Sequence, residues 1–271
     1  MGSAELPAFG KREGEGVRLL NARQDAVDEK SSTRPGNPPP PDPEEVSRMF
    51  GRIAGRYDLV NHLLTGGIDV RWRNRMVRAV AGTRPARVVD LATGSGDVAF
   101  ALRRALPDHV EITGLDFCRP MLEEAERKKA ARRHCPNLKF AFGDILQLPL
   151  DDGAADAVTI SFGLRNLADR ARGLREMRRI LKKESGRLFI LEFTQPARWM
   201  RPFYFPYLRH VLPRLAGCIS GDVSAYRYLN TSIEGFPPKE QITEEIETAG
   251  FQDVRAHPMT GSIVTLHEAR A

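Results

Sequence analysis

Residues 88–97 read VVDLATGSGD, an apolar run that ends in Gly94-Ser95-Gly96 and continues in a helical pattern. Glycines at such a bend permit positive φ and let a ligand approach the backbone closely. Asp116 ends the next apolar run, twenty residues after Gly96. A carboxylate there can accept hydrogen bonds from both hydroxyls of a ribose. The segment Gly94–Ala99 also satisfies the loose G-x-G-x-x-G/A pattern, so spacing alone does not separate a nicotinamide dinucleotide from other adenosine cofactors. Three features favour S-adenosylmethionine. Asp90 stands four residues before Gly94, where an amino-acid ammonium would lie. Asp144 closes a third apolar run, placed for the exocyclic amine of an adenine. Finally, the alternation of elements leaves no room for the second catalytic domain that most nicotinamide enzymes need.

The elements that must position these residues can be read from periodicity. ARVVDLA (Ala86–Ala92), EITGLDF (Glu111–Phe117), LKFAFGD (Leu138–Asp144), AADAVTISFG (Ala154–Gly163) and GRLFILEF (Gly186–Phe193) read as buried strands. Helical patterns fall between them at Asp97–Ala105, Pro120–Ala131 and Arg170–Leu181. Such alternation predicts an α/β fold, a parallel sheet with helices on both faces. Ahead of it lie helices from Pro43 and over Val70–Val80, and behind it a helix opened by Pro238. FQDVRAHP and GSIVTLHEA supply two final strands with a turn at Thr260-Gly261. The stretch from about 196 to 234 interrupts the alternation as inserted, aromatic-rich helices. Residues 1–42, with the run NPPPPDP and little apolar periodicity, read as a disordered tail before a single domain over 43–271.

Composition narrows the class. No apolar run approaches the ~18–20 residues that span a bilayer, and the N-terminus shows no secretory h-region. Cys118, Cys135 and Cys218 are distant, odd in number and outside any CxxC pair, which argues for a reducing cytoplasm and against a disulfide framework or a zinc site. Net charge is +6. Arg165–Arg214 alone holds thirteen Lys/Arg against four Asp/Glu, with Trp199, Phe203, Tyr204, Phe205 and Tyr207 among Arg198, Arg201 and Arg209. Arginine with aromatics can stack on nucleic-acid bases or sit at a membrane interface. The segment is short and lacks a nucleic-acid motif, so the expectation is a peripheral contact with an anionic membrane at its inner face and no nucleic-acid partner.

DLATGSGD resembles the first motif of the class I methyltransferases. More specifically, MFGRIAGRYDLVNHLLTGGIDVRWR (Met49–Arg73), TISFGLRNLAD (Thr159–Asp169), GRLFILEF and AYRYLNTSI (Ala225–Ile233) are similar to the menaquinone and ubiquinone biosynthesis C-methyltransferases, the UbiE/MenG family. The resemblance runs from Ser47 to His267. It implies a class I, Rossmann-like fold with a mostly parallel seven-stranded sheet and an inserted helical cap. It also implies transfer of a methyl group from S-adenosylmethionine to the ring carbon of a prenylated quinol. It favours demethylmenaquinol, with a ubiquinol precursor or another small molecule as the alternative, and a homodimer is compatible with it. By the same resemblance Ser95, Asp116, Asp144 with Ile145, and Ser161 join Asp90, Gly94 and Gly96 as cofactor contacts. Thr93 stands where the family often has glycine, and Asp144-Ile145 where it commonly has Asn-Ala.

Methylating carbon needs a carbon nucleophile, which a quinol ring offers beside a hydroxyl that has lost its proton. No metal is needed; alignment and help for the departing proton suffice. Arg165 and Asn166 follow the fourth strand at its carboxyl edge. Arginine is a poor base, since its pKa exceeds ~12, but it can stabilise a phenolate or hold a water that Asn166 orients. Bracing of the loop is the competing role for Arg165. Tyr57, Asp58 and His210 are further candidates for the proton acceptor. Four of the five tyrosines lie between Tyr204 and Tyr228, where they form the cap's core or line a route for ring and prenyl tail.

Overall fold

Strand β1 (Arg87–Leu91) is buried at every position after the first. Val88, Val89 and Leu91 suit a strand with both faces covered. It pairs in parallel with β2 (Glu111–Asp116) on one side and β4 (Ala157–Ser161) on the other. In this computed structural model β3 (Leu138–Phe142) flanks β2, and β5 (Arg187–Phe193) flanks β4. The last two strands, β6 (Gln252–Met259) and β7 (Val264–Arg270), form a hairpin whose second strand runs antiparallel to β5. The order β3-β2-β1-β4-β5-β7-β6 gives the expected seven-stranded, mostly parallel sheet.

The structure describes residues 43–53, 55, 62, 65–132, 134–211 and 223–271. All belong to one compact unit, Pro40–Ala271. Ahead of the sheet lie α1 (Pro43–Ile53) and α2 (Ile68–Gly82). Crossover helices α3 (Asp97–Ala105), α4 (Arg119–Ala130) and α5 (Arg170–Ile180) alternate with the strands. Asp169 caps α5 by accepting from Arg172 N at 2.9 Å, which satisfies an orphan donor of its first turn. The insertion contributes α6 (Arg201–Pro206), a π-helical turn (Tyr207–Val211) and α7 (Val223–Glu234) before α8 (Lys239–Thr248). Two apolar layers sandwich the sheet. One gathers Met76, Phe100, Leu102 and Phe189; the other gathers Leu174, Met177, Ile180 and Ile242.

Strand order reverses at β1 and β4, and a crevice opens there beyond the carboxyl ends of the strands. Both ends carry backbone strain. Ala92 has φ 48° and Phe162 φ 58°, the left-handed region that residues with a Cβ avoid. The two turns approach so closely that a Cβ on Gly163 would lie 2.5 Å from the Ala92 Cβ. Glycine is therefore required at 163.

Candidate active site

Two adjoining cavities occupy the crevice. The first, of about 240 Å³, is walled by the β1 turn, the ends of β2 and β4, and the segment after β3. Asp90, Gly94, Ser95, Asp116, Asp144, Ile145, Ser161 and Asn166 all line it. Gly96 does not line it. With φ 90° it opens α3, and a Cβ there would lie 2.8 Å from the rings of Phe100 and Phe140, so its place is in the packing behind the turn.

Each acid of this cavity is already held by the protein. Asp90, 1% exposed, accepts from Thr93 Oγ1 and Thr159 Oγ1, both at 2.6 Å. Burial pushes its carboxyl up to about 6, against those two hydrogen bonds. Asp116 accepts from the backbone of Gly94 and of Cys118, each at 2.8 Å. It thereby ties the glycine turn to the end of β2, and burial raises its pKa as well. Asp144 lies past the end of β3, exposed, with Oδ1 accepting from Leu146 N at 2.9 Å. That caps its own turn and leaves Oδ2 available for a ligand amine. Ser95 Oγ accepts from Lys128 Nζ at 2.9 Å. Ser161 Oγ is buried and has no hydrogen-bond partner among the described residues, an unmet need that a ligand in the cavity would fill. With Asp90, Asp97, Asp116 and Asp144 set against Arg73, the lining suits a ligand of net positive charge carrying a ribose and an amine.

The second cavity, of about 470 Å³, is more apolar. Trp72, Phe162, Phe193, Leu208, Leu229, Ile233 and Ile263 line it, with Tyr204 and Tyr207 from the insertion. Trp72 and Phe193 pack both against each other and against Phe162. Arg73 and Phe162 line both cavities and so form the partition between them. Arg165 and Asn166 divide across it. Arg165 lines the second cavity, whereas Asn166 lines the first and accepts from Tyr228 OH at 3.1 Å.

Arg165 is also a brace. Its Nη1 donates to Phe162 O and to Glu192 Oε1, both at 2.6 Å. Glu192, on β5, is fully buried and takes further hydrogen bonds from the backbone of Arg165 and of Phe193. The sequence reading passed over Glu192, although a lone acid inside the apolar GRLFILEF was the available signal. It also passed over Asp69, which lines the second cavity and which an i,i+4 spacing to Arg73 could have marked. Of the other candidates, His210 is exposed on the π-helical turn and lines neither cavity. Tyr57 and Asp58 lie outside the described residues.

Strand order and paired cavities define the architecture of a class I methyltransferase. A putative S-adenosyl-L-methionine-dependent methyltransferase from Methanococcus maripaludis superposes with a TM-score of 0.58 at 19% identity, covering 82% of this chain and 93% of that one. The CurJ carbon methyltransferase gives 0.55 at 14% identity over 93% and 70%. At those identities the likeness concerns the fold. Sequence goes further: residues 41–270 match the ubiE/COQ5 methyltransferase family, and the chain belongs to it. The ubiquinone/menaquinone biosynthesis C-methyltransferase of Citrifermentans bemidjiense is 42% identical over 225 residues, 83% of this chain and 95% of that protein. The demethylmenaquinone methyltransferase of Thermus thermophilus is 45% identical over 220 residues, 81% and 98%.

Proposed function

We propose that the protein is an S-adenosylmethionine-dependent C-methyltransferase acting on a prenylated quinol, with demethylmenaquinol as its substrate. The observation that carries this reading is the pairing of an acid-lined cavity with a larger apolar one, with Arg73 and Phe162 the residues that line both among those described. S-adenosylmethionine, when bound, supplies an electrophilic methyl on a cationic sulfur. Asp116 would accept from its ribose, Asp144 from its adenine amine and Asp90 from its ammonium, and Ser161 Oγ would gain the partner it lacks. The aromatic wall of the second cavity sandwiches a flat ring, and Leu208, Leu229 and Ile233 cover the start of a prenyl chain. Arg165 presents a permanent positive charge to a ring oxygen as it becomes anionic, while Glu192 fixes the orientation of the guanidinium. Relatives bearing the name demethylmenaquinone methyltransferase support the menaquinone branch. Removing the protein from its host and profiling the quinones tests the assignment. Menaquinone lacking its ring methyl should accumulate; an unchanged quinone profile overturns it.

The same reading includes a contact with anionic lipid. Trp199 is 66% and Phe203 72% exposed, beside exposed Arg198 and Arg201 and directly before the cavity-lining Tyr204 and Tyr207. No described helix is long and apolar enough to cross a membrane. A prenylated substrate resides in lipid, and interfacial aromatics flanked by arginine would bring the cavity to it.

A further inference from the structure

Methylating the neutral ring of a quinol with a cationic donor releases one proton per turnover. If the second cavity holds the ring, as proposed above, that proton must leave a chamber walled by Trp72, Phe162 and Phe193. Among the described residues lining that cavity, Asp69 is the sole carboxylate. The other oxygen acids there, Tyr204 and Tyr207, have pKa values raised by burial, so they stay protonated. Arg165 is committed to Glu192.

Asp69 is 2% exposed and begins a chain that leads outward. Its Oδ2 lies 2.6 Å from His62 Nδ1, and the His62 side chain is 36% exposed. His62 Nε2 faces Asp97 Oδ2 at 3.7 Å, beyond hydrogen-bond distance. While Asp69 is ionised, the 2.6 Å contact is made by an Nδ1 proton. Once Asp69 takes a proton, the ring receives it on an Nδ1 lone pair, as the tautomer protonated on Nε2. The remaining groups hold the dyad still. Thr65 Oγ1 donates to Asp69 Oδ1 at 2.7 Å and Arg73 Nη1 to Oδ2 at 2.5 Å. Arg73 and Lys128 also pair with Asp97, at 3.5 and 3.4 Å.

We infer that Asp69 and His62 form the proton outlet of the reaction, Asp69 taking the proton inside the cavity and His62 delivering it to solvent. The ring O–H bond breaks and its proton passes to Asp69, then to His62 Nδ1. The ring carbon forms a bond to the methyl as the methyl–sulfur bond breaks, its electron pair staying on sulfur. The same carbon then loses its hydrogen as a proton, which restores the aromatic ring while the oxygen regains one. One proton in all leaves through His62 Nε2, which returns Asp69 to its ionised form with the imidazole proton on Nδ1. Exchange with solvent at the partly exposed ring moves that proton to Nε2 for the next transfer. The charged groups around this dyad are Arg73 on α2, Asp97 on α3 and, paired with Asp97, Lys128 on α4.

The test uses the full-length protein with reduced quinol and measures kcat, KM and cofactor affinity across pH. His62→Ala, at a partly exposed position, should lower kcat at least tenfold and leave S-adenosylmethionine affinity unchanged. The acid limb of the kcat profile should vanish, and added imidazole should restore turnover saturably. Asp69→Asn should lower kcat by about 10²–10⁴, the range for losing a general base, with no response to imidazole. Parental kcat and acid limb in His62→Ala would overturn the inference. So would a lowered kcat with the acid limb intact and no imidazole rescue, which would make His62 only a structural partner of Asp69. A parent protein that binds cofactor but methylates no quinol would instead refute the proposed function on which this rests.

Discussion

Arg165 Nη1 lies 2.6 Å from Glu192 Oε1, with both side chains almost fully buried. The guanidinium lines the larger cavity while its counter-charge sits behind it on β5. Arg165 thus serves two purposes, and a single substitution disturbs both.

Arg165→Ala leaves Glu192 charged and buried without its partner, and it should cost about 3–5 kcal/mol of stability. Adding Glu192→Gln should recover much of that loss, because an amide is far cheaper to bury than a carboxylate. Turnover should not recover with it. Denaturant unfolding and kcat, measured on both proteins, separate the two purposes. If kcat returns with stability, Arg165 is a brace alone.

Asp116 accepts one backbone hydrogen bond from the glycine turn, at Gly94, and one from Cys118 past the end of β2. Asp116→Ala should weaken S-adenosylmethionine binding by about 1.5–3 kcal/mol, the value of hydrogen bonds to a charged acceptor. Calorimetry with this cofactor and with NAD provides the check. Tight NAD binding, or an unchanged cofactor affinity in the variant, contradicts the site.

Cofactor affinity should also depend on pH through Asp90, whose carboxyl titrates at about 6 because it is buried. A cationic ligand favours the ionised form, so binding expels a proton. Affinity should therefore rise with pH toward about 6 and flatten above it. Stability moves the other way. The folded pKa exceeds the ordinary aspartate value of 3.8, so Asp90 favours the folded state most at low pH, and that contribution is lost as pH rises through about 6. Thr159→Val removes one of the hydrogen bonds that lower the pKa and should shift the affinity midpoint upward. A flat affinity profile from pH 5 to 8 counts against this role.

Residues 1–40 precede the stretch that matches the family, and the sequence shows no core-forming pattern there. Their removal should change kcat less than about twofold, under ~0.5 kcal/mol in the barrier. A large loss of turnover in the folded truncation would place the N-terminal segment in the site.

Binding to anionic vesicles should weaken with salt and fall further in Trp199→Ala/Phe203→Ala. These residues probe the surface more cleanly than Arg209, which pairs with Glu234. Reversing the charge of Arg201 should cost up to ~1 kcal/mol. Sedimentation that is indifferent to salt and to both changes would remove lipid from the account.

Most of the scaffold was legible because buried parallel strands write themselves as apolar runs bounded by glycine and acid. The pattern located helix Asp97–Ala105 and the turn at Thr260-Gly261. Strand ends were harder. The run to Asp144 overshoots β3 because Asp144 opens a turn, its Oδ1 accepting from Leu146 N at 2.9 Å and its carbonyl from Gln147 N at 3.0 Å. The reading through Gly163 overshoots β4 because Phe162 adopts positive φ. The basic excess of Arg165–Arg214 proved less a single field than a set of pairs: Arg170 with Glu245, Arg179 with Glu176 and Asp152, Lys182 with Asp156. Glu192 and Asp69 left only faint marks in the sequence, and the roles of Glu192 and of the Asp69–His62 dyad exist only through partners brought together by the fold.

The reaction proposed for this protein is methyl transfer to the ring carbon of a reduced quinol. Its most direct measurement is a single turnover with S-adenosylmethionine carrying an isotopically labelled methyl and demethylmenaquinol, offered beside the oxidised quinone. One labelled methyl should appear on ring carbon, formed from the quinol and absent with the quinone. Label on oxygen or nitrogen, equal transfer to the quinone, or no transfer to any quinol by a protein that binds the cofactor would contradict it.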